Sequence, residues 1–173
     1  MTGLPLETIF RRSWPDLSDA GAAALRDEYR AIYEARAIPA TRLFRGARAT
    51  LRAFRAAGLR QATVTGKRAA DCERILRGLG VGRELDLFLG GDSVERPKPA
   101  PDLALAALVG LGVDAARAVV IGDTRTDIGM GRAAGVRTIH VLWGYERRPL
   151  PEADLAVGTW PALRRAVLGS VAS

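Results

Sequence analysis

Hydrophobic positions along the chain follow two regimes. Through residues 1–40 they recur at helical spacing. Ser18, a residue suited to capping a helix N-terminus, is followed by Leu25, Tyr29, Ile32 and Tyr33 on one helical face. From "LFRGARATLRAFRAAG" onward, short apolar runs alternate with amphipathic stretches. The runs are "RQATVT" (60–65), "LDLFLG" (85–90), "AVVIG" (118–122), "TIHVLW" (138–143) and "DLAVG" (154–158). Between them apolar residues return at i, i+3, i+4: Leu51 and Phe54, then Cys72, Ile75, Leu76 and Leu79, then Ala104, Ala107, Leu108 and Leu111. Continuous apolar strands alternating with helices predict a parallel sheet covered on both faces. The expected organisation is a helical segment at 1–40 and an α/β domain at 41–173, with no internal repeat and no low-complexity tract.

Composition changes this picture little. With 173 residues, 48% of them hydrophobic, the chain suits one globular domain with a core. No apolar run approaches the roughly 20 residues of a membrane span. Pro and Glu interrupt the opening "MTGLPLETIFRRSW" where a secretion signal would need an apolar core, and Cys72 is the sole cysteine. Both features point to a cytoplasmic protein. A net charge of +7 raises the question of nucleic acid. The arginines are scattered, however, and no basic run interleaves with aromatics. The charge therefore reads as a solvated surface with at most weak steering of anions. Of the 26 basic residues all are arginine except Lys67 and Lys98. Against an arginine background, a lysine suggests a need for a compact point charge.

Ligands of parallel sheets bind outside the carboxyl ends of the strands. At the first such end, "TVTGK", Thr65 presents a hydroxyl and Gly66 permits close backbone approach. The loop after the second run leads into "RPKPAPD", where Pro97, Pro99 and Pro101 predict a stiff extended stalk for Lys98. The third, "AVVIGDTRTDIGMGRAAG", ends at Asp123, with Asp127 one helical turn on. A hydroxyl, a fixed ammonium and two hard carboxylates suit Mg²⁺ together with a phosphate monoester or acyl phosphate. Singly, each has a plain structural role: a strand-end threonine, a rigid turn, a helix cap with a first-turn acid. Their order, each beyond a predicted strand, favours the phosphate site. His140, mid-strand in "TIHVLW", reads as structural.

"TVTGK", "RPKPAPDLALAAL" and "VVIGDTRTDIGMGRAAG" resemble the second, third and fourth motifs of the haloacid dehalogenase-like (HAD) superfamily, nearest its phosphoglycolate phosphatase-like branch. "GLPLETIF" and "LFRGARATLRAFRAAG" resemble that branch's helical cap and its return into the core, so the resemblance covers nearly the whole chain. It implies a Rossmann-like parallel sheet with flanking helices and a partial cap at 1–40. It further implies that Thr65 and Lys98 bind phosphate, that Lys98 neutralises the nucleophile, that Asp123 ligates Mg²⁺, and that Asp127 supports the metal site.

The family's first motif, an Asp-x-Asp pair supplying the nucleophile and the general acid/base, has no match. The eleven aspartates stand at 16, 19, 27, 71, 86, 92, 102, 114, 123, 127 and 154, and no two are separated by one residue. The expectation is that the first strand, its loop and the first cap helix, at least about 25 residues, are absent. In the family that strand lies centrally, between the strands ending at Thr65 and Asp123. Its loss predicts two facing unpaired edges, which recruit other strands. Each buried unsatisfied backbone group costs on the order of 1–3 kcal/mol, against a total stability of about 5–15 kcal/mol. The two edges could pair directly, accept a strand from a second copy or another protein, or be filled by a longer gene product. Two functions stay open: a Mg²⁺-dependent phosphatase of small phosphorylated metabolites, inactive as residues 1–173 alone, or a non-catalytic remnant that binds phosphate or a partner. Neither nucleic acid nor membrane is an expected partner; a homo-oligomer or a strand donor is.

Overall fold

The computed structural model describes residues 6–169. The chain divides into two compact units, Met1–Arg42 and Leu43–Ser173. In the first, α1 (Leu6–Ser13) and α2 (Asp19–Ala40) pack together. Ser18 caps α2, its hydroxyl oxygen accepting the Gly21 N–H at 3.1 Å. Pro39 sits in the last turn, and the helix closes where the Thr41 N–H donates to the Ala37 carbonyl at 3.1 Å. The helical period is realised, yet the buried positions are Ala22 and Ala37, while Tyr29 and Ile32 stay about half exposed. Tyr29 stacks on Tyr33, ring centroids 6.2 Å apart. Residues 3–5 of "GLPLETIF" lie outside the described residues. None of the described helices is long and apolar enough to cross a membrane.

In the second unit, strands form within all five apolar runs except that the fourth begins one residue earlier: β1 (Ala62–Val64), β2 (Leu87–Leu89), β3 (Val119–Gly122), β4 (Arg137–Val141) and β5 (Leu155–Val157). Helices α3 (Ala47–Ala56), α4 (Ala69–Gly78), α5 (Asp102–Leu111), α6 (Arg125–Ala133) and α7 (Trp160–Leu168) connect and flank them. Every pairing is parallel, as strands joined through helical crossovers require. The strands make two sheets rather than one. In the first, β1 pairs with β2, Ala62 opposite Leu87 and Val64 opposite Leu89. In the second, β4 lies between β3 and β5, with Gly122 opposite His140 and His140 opposite Ala156. Direct pairing of β1 with β3, one of the three outcomes the sequence left open, is not what the chain adopts.

Packing explains how the halves cohere without that pairing. Leu103 and Ala104 of α5 and Met130 of α6 form a buried cluster that takes in Val64 and Leu89 from one sheet and Val120 from the other. Helices α5 and α6 thus underlie both halves. A second cluster, built on Phe54, Ile139, Val141, Val157, Leu163 and Val167, covers the opposite face of β4 and β5. Strand β4 is buried from Thr138 to Val141, whereas edge strand β3 is only half-buried, with Ile121 37% exposed. His140 is fully buried, and its Nδ1 accepts the Leu150 N–H at 3.4 Å, in line with a structural role.

Candidate phosphate and metal site

Lys98 stands on a turn, not on the extended stalk its prolines predicted. The Ala100 N–H closes on the Pro97 carbonyl at 3.0 Å, and the Lys98–Pro99 peptide is cis. Three prolines fix the torsions, but the fixed torsions here reverse the chain. Arg96 Nε donates to Asp102 Oδ1 at 3.0 Å, tying the two ends of the loop. The Lys98 ammonium then donates to Asp127 Oδ1 at 2.5 Å and to the Val64 carbonyl at 3.3 Å. That carbonyl belongs to the open side of β1. The Thr65 N–H reaches the Leu89 carbonyl of β2, and the C=O and N–H of one trans peptide group point in opposite directions. Thr65, next to Val64, accepts the Lys67 N–H at 3.3 Å on its hydroxyl oxygen and keeps a hydroxyl hydrogen to donate. Gly66 is exposed, and a Cβ there would meet nothing within 4 Å, so the chain's own packing does not demand glycine.

Asp127 fills the first-turn role that the plain structural reading gave it and pairs with Lys98 as well. Thr124 is the N-cap of α6 in a capping box: the Asp127 N–H donates to the Thr124 hydroxyl oxygen at 3.3 Å, and the Thr124 N–H donates to Asp127 Oδ2 at 3.1 Å. Asp123 is therefore not the cap. Its Oδ2 accepts the Tyr145 N–H at 2.7 Å and its carbonyl accepts the Glu146 N–H at 3.0 Å, while among the described residues Oδ1 has no hydrogen bond. A glycine backs each acid. A Cβ on Gly122 would lie 2.2 Å from the Asp127 Cβ, and one on Gly144 would lie 2.2 Å from both the Cβ and the Oδ2 of Asp123.

Lys98, Asp127 and Asp123 are brought together, with Thr65 beside the carbonyl that Lys98 holds. Thr124, Gly144 and Glu146 were not picked out from the sequence. The capping box was visible as "TRTD" (124–127), whereas nothing in the sequence marked Gly144 or Glu146. Among the described residues no three His, Cys, Asp or Glu side chains cluster to hold a metal. The donor chemistry nevertheless fits Mg²⁺, which needs only one or two carboxylates beside water and phosphate. Asp123 has a free oxygen for it, while both oxygens of Asp127 are engaged.

A model of the haloacid dehalogenase-like hydrolase family matches residues 1–141. The chain belongs to that family. Within it, this HAD protein falls in the phosphoglycolate phosphatase-like branch. It is 33% identical over 135 residues to a phosphoglycolate phosphatase of Rhodospirillum rubrum, covering 78% of this chain and 56% of the relative. It is 34% identical over 151 residues to a phosphoglycolate phosphatase of Xanthomonas campestris, covering 85% and 68%. A crystal structure of β-phosphoglucomutase from Clostridium difficile shares the fold, with a TM-score of 0.78 at 16% identity over 99% of this chain and 80% of that one. The HAD chain spans about half to two thirds of the length of the curated relatives it matches.

Proposed function

We propose that this chain carries the phosphate- and metal-holding part of a Mg²⁺-dependent phosphate monoester hydrolase of the phosphoglycolate phosphatase type, acting on a small phosphorylated metabolite in the cytoplasm. One observation carries the reading. The Lys98 ammonium bridges the Val64 carbonyl, at the end of β1, and Asp127 Oδ1, at the start of α6, so Thr65, Lys98 and Asp123 converge where the two half-sheets end. Thr65 and the Gly66 backbone would bind phosphate oxygens, and Lys98 would neutralise them. Asp123 would hold the metal through Oδ1, with Asp127 behind it. Bound Mg²⁺ would supply charge neutralisation at the phosphate.

The attacking carboxylate is the part that residues 1–173 do not provide as an Asp-x-Asp pair. The open side of β1, where Lys98 now bonds a bare carbonyl, and the half-buried β3 are suited to a strand that brings one, from a longer product, a second copy or another protein. The alternative, a non-catalytic phosphate or partner binder, is favoured by the engagement of both Asp127 oxygens. Joining an apolar strand ending in Asp-x-Asp to the N-terminus separates the two. Under the phosphatase reading, Mg²⁺-dependent hydrolysis of an aryl phosphate appears, the melting temperature rises, and Asp123→Asn abolishes turnover. If the extended protein stays inert while inorganic phosphate still stabilises it, the binding reading stands.

A further inference from the structure

The turn after β4 does something no motif predicted. Residues 144–146 fold back over the end of β3. Gly144 packs its Cα against Asp123, leaving no room for a Cβ. The next two amides both point at that residue: the Tyr145 N–H reaches its Oδ2 at 2.7 Å and the Glu146 N–H its carbonyl at 3.0 Å. A side chain of the turn itself fastens it to α6. Glu146 Oε1 accepts the Arg125 N–H, at the first residue of α6, at 2.6 Å. The Tyr145 side chain is 78% exposed and cannot supply the anchor.

We propose that Glu146 is a positioning residue for the Asp123 carboxylate. By latching the turn to the α6 N-terminus it holds the Tyr145 amide on Oδ2, which fixes the carboxylate's rotation and leaves Oδ1 as its one uncommitted oxygen. A carboxylate accepting a helix N-terminal amide makes a charge-assisted bond, stronger than a neutral one. The proposal rests on the reading of Asp123 as the metal ligand given above. Its structural content does not require metal to be present.

The test uses amide hydrogen exchange by NMR on residues 1–173 with no metal added, so that its outcome is separate from the metal reading. The informative amide is that of Tyr145, which bonds Asp123 and not Glu146. In Glu146→Ala it should exchange about tenfold faster, since its partner is no longer held in place. In Glu146→Gln the carboxamide oxygen can still accept from Arg125, and exchange should return to within roughly threefold of the original. Glu152→Ala is the matched control. Glu152 Oε1 pairs with the Arg125 guanidinium at 2.6 Å and, among the described residues, makes no hydrogen bond to the turn, so the Tyr145 amide should be unaffected. Unchanged exchange in Glu146→Ala, or equal acceleration in all three variants, would overturn the proposal.

Discussion

Lys98 Nζ lies 2.5 Å from Asp127 Oδ1, with the two side chains 17% and 11% exposed. The pair fastens the proline loop that precedes α5 to the first turn of α6. Removing the lysine leaves a largely buried carboxylate whose remaining bonds, from Thr124 and the Asp123 N–H, all fall on Oδ2. Lys98→Ala should therefore destabilise the chain by about 1–3 kcal/mol, read as a lowered urea midpoint. It should also abolish any rise in melting temperature caused by inorganic phosphate. A phosphate-induced rise that survives in the variant would remove Lys98 from the phosphate site.

Magnesium binding to residues 1–173 should be weak, because Asp123 Oδ1 is the one oxygen of the two site acids without a hydrogen bond among the described residues, and no three ligating side chains cluster there. Titration calorimetry is the direct measurement. A micromolar dissociation constant would mean that another group completes the shell.

Gly144→Ala places a methyl 2.2 Å from both the Cβ and the Oδ2 of half-buried Asp123, a distance that side-chain rotation cannot absorb, because Asp123 is itself held by two backbone amides. The turn must shift. The expected cost is on the order of 1–3 kcal/mol, as for other overpacked sites. The Asp123→Gly, Gly144→Ala double variant, which also removes the Asp123 Cβ that the new methyl would meet at 2.2 Å, should recover much of it, which a thermal-melt cycle would reveal.

Acid should destabilise the fold through Asp86 and Asp154. The carboxyl of Asp86 is held below its ordinary value first by its hydrogen bond from Arg55 and then by the Gln61 N–H. That of Asp154 is lowered by the Thr138 N–H and then by its hydroxyl, at 2.7 and 2.8 Å. A carboxylate whose folded pKa is depressed contributes its stability above the unfolded value of about 3.9, and loses it as pH falls through the folded value. Asp154→Asn should therefore lower the urea midpoint at neutral pH and flatten its fall below about pH 4. Parallel acid profiles for variant and parent would show that these bonds carry no linkage.

Much of the fold was legible because the signals were periodic. Continuous apolar runs marked all five strands, and Ser18 marked the start of α2. The site was legible as residue order: Thr65, Lys98, Asp123 and Asp127 each followed a strand. What the sequence hid was direction. Helix α5 is apolar almost all round, so its spacing did not single out Leu103, which is 1% exposed, over Val109, which is 83% exposed. Proline torsions restricted the Lys98 loop without revealing that it turns. Gly144 and Glu146 act across 21 and more residues of chain, on Asp123 and Arg125, and local patterns carry no trace of such pairs.

The scarcity of lysine has a practical corollary. Among the side chains of residues 1–173, amine-reactive acylating reagents meet two lysines, Lys67 and Lys98. Lys67 is exposed, whereas the Lys98 side chain is only 17% exposed. Acylation requires an exposed, unprotonated amine, so the labelling rate at residue 98 becomes a mass-spectrometric clock for the opening of the clasp.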